Sequence, residues 1–256
     1  MKNFSIIVPV LLFFLATGCH KENSTTPSNQ SSYFPITSGS NWIYDYYTLD
    51  SMNNRTNIKP TLDSTAITGN SKMLEKDCKI LSSFEFNNGA YTKGPDSYWR
   101  TEATKTYVHS NIFSAMLAMP IMPITLEDKW LKIFDFDNSD GWLVLVKDID
   151  TLMFGLPLKG SLQALGSLEE MKTITVPYGS MMTYHFLIRV NFNGNIAAPV
   201  IGTVPINFTR KMHFYIAENI GIVKRFYESS SISIPLMGGF SMPGEEANLI
   251  RFNIGK

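Results

Sequence analysis

A chain of 256 residues with 22 Lys plus Arg against 22 Asp plus Glu has no net formal charge. It offers neither a basic field to hold a phosphate backbone nor an acidic tail, which excludes nucleic acid as an expected partner. Two cysteines cannot build a disulfide framework, and the length suits one large all-β domain or two small ones.

Met1, Lys2 and Asn3 precede an apolar run over residues 4–16, interrupted only by Ser5 and Pro9. A charged start, a short apolar stretch and small residues at its end make an export signal. A span would need about 20 apolar residues, more than this run supplies. Leu15-Ala16-Thr17-Gly18-Cys19 resembles the lipobox cut by lipoprotein signal peptidase, with Ala16 where that pattern more often has Leu. The resemblance implies that Cys19 becomes the diacylated first residue of the mature chain. A secretory signal with a cysteine beside it by chance is the competing reading. Residues 20–32 contain no aliphatic or aromatic side chain, so they cannot offset their ordering entropy and read as a tether. Two or three acyl chains on one cysteine hold a membrane durably, at about 0.8 kcal/mol per buried methylene. The expected organisation is a signal peptide over 1–18, a flexible tether over 19–32 and a single β domain over 33–256. The expected location is the cell envelope, lipid-anchored at the outer membrane, on its periplasmic face or at the cell surface.

From residue 33 onward the dominant period is two, the mark of strands with one buried face. In chain order, strands are predicted over 42–49, 64–68, 79–86, 97–103, 105–109, 142–147 and 172–176. Cys78 belongs to the alternation Cys78, Ile80, Ser82, Phe84, Phe86 and reads as a small core residue rather than a nucleophile. The clearest strand has Met182, Tyr184, Phe186, Ile188, Val190 and Phe192 at even positions, with Thr183, His185, Arg189, Asn191 and Asn193 between them. Phe208, Met212, Phe214 and Ile216 mark the next strand. After Ala217-Glu218-Asn219 a run over 221–227 returns, which makes a hairpin, and the last strand covers 249–254. Ten or so short strands joined by polar turns predict an all-β fold, one large curved antiparallel sheet or half-barrel. Helical spacing is confined to 112–119 and 162–171, the candidates for one or two short helices.

Two loops depart from the polar norm. Residues 112–126 hold Met116, Met119, Pro120, Met122 and Pro123 with no charge, and 232–243 hold Pro235, Met237, Phe240, Met242 and Pro243. Such loops either close the sheet's own core as a lid or line the mouth of a groove for a hydrophobic ligand, where flexible methionines adapt to varied shapes. On the second reading the candidate ligand-binding residues are Trp42, Tyr44, Met116, Met119, Tyr184, Phe186, Phe214 and Met237.

The stretch from Tyr33-Phe34-Pro35-Ile36 through Gly39 to Trp42-Ile43-Tyr44 resembles the opening of a group of Bacteroidetes lipoproteins without assigned activity. In that group a Phe-Pro, a Gly, a Trp and a Tyr recur at this spacing. Phe214-Tyr215-Ile216-Ala217-Glu218-Asn219-Ile220-Gly221-Ile222-Val223-Lys224-Arg225 resembles the hairpin those proteins carry before their last strands. Ser38, Ser40 and Asn219-Ile220 depart from the group's commoner residues. The resemblance implies a curved antiparallel sheet similar to the half-barrels of lipoprotein-carrier proteins, which hold acyl chains in an apolar concavity; for this chain that role is an analogy from fold. Lys21-Glu22 resembles the charged surface-export signal of the same bacteria, and Asp50-Ser51-Met52, Asp63-Ser64-Thr65 and Asp150-Thr151-Leu152 match their short O-glycosylation pattern.

Groupings that carry chemistry are sparse. There are four histidines, His20, His109, His185 and His213. His185 and His213 fall on the polar side of their strands and read as solvated; pairing of those strands would bring them together as a potential metal pair, with no further ligand in view. No H-E-x-x-H, G-x-S-x-G or glycine-rich phosphate loop occurs. Asp135, Asp137 and Asp140 look faintly like a calcium loop, but Gly141 falls at position 7 and Val146 at position 12, where an EF-hand needs Gly at 6 and Glu at 12. A polar turn before Trp142 is the better reading. The sequence therefore predicts a non-catalytic binding module without cofactor or metal, attached to a membrane and directed at a hydrophobic or acylated ligand. The alternative is a structural or accessory lipoprotein working through contacts with an envelope protein. A glycan-directed hydrolase ranks third, since the separation of acid pairs in space is invisible in a sequence.

Overall fold

The computed structural model describes residues 33–87, 89–111, 113, 125–153, 155–199, 202–234 and 238–255, within a compact unit from Ser31 to Lys256. Cys19, Met116, Met119 and Met237, with most of the predicted helix over 112–119, lie outside the described residues. The strands in chain order are β1 Asn41–Leu49, β2 Thr61–Met73, β3 Lys76–Asn87, β4 Ala90–Glu102, β5 Lys105–His109, β6 Trp130–Asp135 and β7 Trp142–Met153. They continue with β8 Leu156–Val176, β9 Gly179–Ala198, β10 Gly202–Ala217, β11 Gly221–Tyr227, β12 Ser230–Ile234, β13 Gly238–Met242 and β14 Gly244–Asn253.

Twelve of these form one antiparallel sheet in the order β6-β5-β4-β3-β2-β1-β14-β11-β10-β9-β8-β7, while β12 and β13 pair separately. Two meanders, β1 to β6 and β7 to β11, are joined by the last strand, which hydrogen-bonds β1 on one side and β11 on the other. Bulges at Ile43/Tyr44, Ile67/Gly69, Ser82/Phe84 and Tyr215/Ile216 bend the strands, and such insertions are how a wide sheet acquires curvature. The sheet is thereby nearly closed into a barrel. At the seam the free edges β6 and β7 meet through Trp142, whose Nε1 donates to the Lys132 carbonyl at 2.9 Å. The Trp142 indole lies directly on Gly166, where an added Cβ would come within 2.4 Å of it, so the small residue on β8 gives the ring its seat.

Alternation is clearest in β10, where Val204, Ile206, Phe208, Met212, Phe214 and Ile216 are buried and Thr203, Pro205, Asn207 and Thr209 face solvent. The inward side chains meet in an aromatic pack. Phe34 stacks on Trp99 at 5.1 Å, Phe134 lies 5.1 Å from Phe186 and 5.2 Å from Phe214, and Phe136 lies 4.8 Å from Phe186. Each fully buried phenylalanine contributes about 1.5–3 kcal/mol through area removed from water.

Two expectations are revised and one strand is added. Residues 162–171 are strand, not helix: Leu162, Ala164 and Gly166 point inward in register with Phe192, Val190 and Ile188 of β9, and the bulge at Leu168/Glu170 breaks the alternation that would have revealed it. Strand β6 is an element the periodicity did not mark. Residues 232–243, read as a loop, include the hairpin β12–β13, and its Ile232 and Met242 are buried in the main core.

A cavity between the two meanders

The barrel interior is not filled throughout. A cavity of about 470 Å³ opens between β1–β4 on one side and β9–β11 with β14 on the other. Its walls are aromatic and aliphatic: Phe34, Trp42, Tyr44, Leu81, Phe84, Trp99, Ile133, Ile188, Phe214 and Tyr227. Of the candidate residues, Trp42, Tyr44 and Phe214 line it. Phe186 is fully buried in the aromatic pack, and Tyr184 lies at the edge of that pack, 5.2 Å from Phe136; neither lines the cavity.

Trp42 and Tyr44 are fixed by hydrogen bonds to a strand pair far along the chain. The indole Nε1 of Trp42 donates to the Ile220 carbonyl at 2.6 Å, and the Tyr44 hydroxyl donates to the Ile222 carbonyl at 2.8 Å. Gly221 sits beneath the indole, with Pro35 and Trp42 each less than 4 Å from where its Cβ would be. Its φ of 96° and the 59° of Asn219 turn the chain sharply from β10 into β11, a conformation that Gly and Asn adopt with little strain. Burial pushes the Tyr44 phenol well above its ordinary pKa, partly offset by the Arg225 guanidinium 5.2 Å from the ring, so it stays a neutral donor. Tyr227 is raised likewise, again chiefly by burial. Tyr46 is pushed up to about 12, by burial first and then by the Glu245 carboxylate.

Charged groups also reach this interior. Arg225 on β11 pairs with Asp63 on β2 across the cavity wall. Arg210 on β10 is buried and lies 5.9 Å from the centre of the Tyr227 ring. Glu85 and Glu245 line the same space. The sequence placed none of these in the interior; Asp63 was read only as part of a glycosylation triplet and Arg225 only as part of the hairpin motif. Arg210 had a visible signal, because it occupies an even position inside the run Phe208 to Ile216; the Asp63–Arg225 pair had none, being 162 residues apart.

On the outer wall, β9 and β10 pair as adjacent strands and bring His185 against His213, their Nε2 and Nδ1 at 2.9 Å. His213 continues to Glu228 at 3.0 Å, and Glu170 lies 3.7 Å from the other nitrogen of His185. His185 is not solvated as expected: it is buried and stacks on Tyr215 at 4.5 Å. Burial lowers its pKa, helped by the charge of Lys172. Among the described residues no group of three or more His, Cys, Asp or Glu is placed to hold a metal. Cys78 is buried on β3 with Sγ donating to the Ser71 carbonyl at 3.4 Å, and burial raises its thiol pKa, which disfavours the nucleophilic thiolate. Asp135 to Gly141 form the turn between β6 and β7, with Asp135 bound to Lys132 Nζ at 2.6 Å and Asn138 Nδ2 donating to the Gly141 carbonyl at 3.2 Å.

No protein-family model and no curated protein matches the chain. Among solved structures, a candidate lipoprotein from Parabacteroides distasonis is similar over 87% of this chain and 99% of its own, at 12% identity and a TM-score of 0.45. A candidate exported protein with a YmcC-like fold from Bacteroides fragilis is similar over 87% and 99%, at 12% identity and a TM-score of 0.43.

Proposed function

We propose that the chain is a membrane-tethered, non-catalytic binding protein of the cell envelope that takes an apolar or acylated molecule into its barrel. The observation that carries this reading is the cavity of about 470 Å³ walled by aromatic and aliphatic side chains. Small-molecule sites usually occupy about 300–1,000 Å³ and are lined in this way, with a few polar groups to fix orientation. The tether belongs to the same reading and rests on the lipobox-like residues 15–19. A lipid on Cys19 would hold the barrel beside a membrane, the source of acylated molecules.

The test is organic extraction of the protein purified from membranes, followed by uptake of a fluorescent fatty acid. Co-purifying lipid and saturable uptake are expected. Thr65, which lines the cavity between Trp42 of β1 and Ser83 of β3, gives the control: Thr65→Trp fills the space and should abolish most of the uptake while the fold survives. No extractable lipid and no uptake would end the reading.

A second reading, work through protein contacts, draws on the outer wall of β7 and β8. There Leu143 and Leu165 are direct cross-strand partners and both face solvent, 55% and 36% exposed. It predicts a partner crosslinked through that wall in cells, and uptake experiments that remain blank.

A further inference from the structure

Arg210 is an anomaly on the inward row of β10, where the other side chains from Val204 to Ile216 are apolar. It lines the cavity and is only 7% exposed. Its Nε has no hydrogen-bond partner, and among the described residues no carboxylate pairs with it. The other cation of the cavity, Arg225, has Asp63. The Tyr227 ring centre lies 5.9 Å from Arg210, and a ring face cannot accept the in-plane N–H bonds of a guanidinium as an oxygen does. An arginine does not escape burial by losing its proton. A buried guanidinium with an unbonded Nε and no ion-pair partner among the described residues is therefore a site for an anion.

Resting on the cavity as a ligand site, we propose that Arg210 receives the anionic head of a single-chain amphiphile whose hydrocarbon lies against Trp42, Trp99 and Phe214. Nε and the neighbouring Nη present two parallel N–H bonds, the fork that a carboxylate meets with both oxygens. Glu85 and Glu245 line the same space and repel each negative charge on the head, so a head with one charge, offset by Arg210, is favoured over one with several. The ligand class is thus a fatty acid rather than a neutral lipid or a polyphosphorylated one. The preference comes from the site's charge and fork geometry, since an alcohol of equal chain length buries the same hydrocarbon but offers one neutral oxygen and leaves the guanidinium's charge uncompensated.

The experiment uses the chain from residue 20 onward, which retains the whole compact unit from Ser31, after removal of bound lipid. Dodecanoate and 1-dodecanol are titrated calorimetrically into the unaltered protein and into Arg210→Met, and both ligand-free proteins are melted. Dodecanoate should bind at least about tenfold tighter than the alcohol, the scale of a charge-assisted pair. Arg210→Met should bring the acid down to the alcohol without changing the alcohol, and should melt higher than the unaltered chain because the unpaired charge is gone. Equal affinities for acid and alcohol, an unchanged acid affinity in Arg210→Met, or a lower melting temperature for that variant each overturn the anion site while leaving the cavity reading standing. Binding of neither ligand overturns the cavity reading, and the anion site with it.

Discussion

Glu246 shows how single residues hold this sheet together. It sits on β14, the strand joining the two meanders, and accepts from Arg55 Nε at 2.6 Å and Lys224 Nζ at 2.8 Å. Burial alone would raise its pKa, but the two cationic donors outweigh it and hold the carboxyl at about 2. A carboxyl whose folded pKa lies below its unfolded value stabilises the fold above the unfolded pKa, near 4.5, and that stabilisation is lost as pH falls toward about 2. Arg55 is half exposed, so solvent screens its share, and the contribution at neutral pH is on the order of 1–2 kcal/mol. Urea unfolding from pH 7 to pH 2 should show a stability loss between pH 4.5 and 2; in Glu246→Gln the starting stability is lower and that part of the slope is gone. A variant with the same slope as the unaltered chain would show that other carboxylates carry the acid sensitivity. Arg210 and Glu246 mark the limit of sequence reading at this scale. Alternation shows which face a charge is on, so Arg210 could have been flagged as inward; nothing in the sequence shows that Glu246 on the last strand has partners from residue 55 and residue 224.

At the scale of elements, legibility followed burial contrast. Where a strand has one dry and one wet face, as β10 and β9 from Ile188 onward do, the sequence marked its central part, because the period-two signal is a record of that contrast. Strand β8 was misread over 162–171 because its inward positions after Leu162 are small, Ala164 and Gly166, while Leu165 faces out, so Leu162, Leu165, Leu168 and Met171 fit a helical spacing by coincidence. The turn from β2 to β3 was hidden for a different reason. Leu74 and Glu75 have φ of 48° and 59°, a two-residue hairpin turn that Asn-Gly favours and that costs other residues about 1–2 kcal/mol each. Leu74 is also an exposed apolar side chain. Replacing the pair by Asn-Gly should raise stability by about 1 kcal/mol, read as a higher denaturant midpoint at unchanged slope; a lower midpoint would show that the Leu74 or Glu75 side chain stabilises the hairpin in a way the turn geometry does not capture.

For the whole molecule, the resemblance residues at the two ends of the chain have a physical meaning. The opening stretch with Phe34, Trp42 and Tyr44 and the hairpin around Ile220 to Ile222 are in direct contact, through Trp42 to Ile220 and Tyr44 to Ile222. They join the first strand to β10–β11 across β14 and shape one wall of the cavity as they do so. The curved antiparallel sheet was legible from periodicity. Its near closure was not, because β6, the edge that meets β7 at the seam through Trp142 and Lys132, went unread. The hollow was not legible either: an inward aromatic on a strand reads the same whether it is enclosed by other rings, as Phe186 is, or also borders the cavity, as Trp42 and Phe214 do. The most direct measurement of the central claim is crystallography with a fatty acid brominated along its chain, recorded at the bromine absorption edge. Anomalous peaks are expected inside the barrel, between Trp42 and Phe214; a crystal saturated with the ligand whose peaks fall only on the outer wall, or nowhere, would rule out an interior binding site.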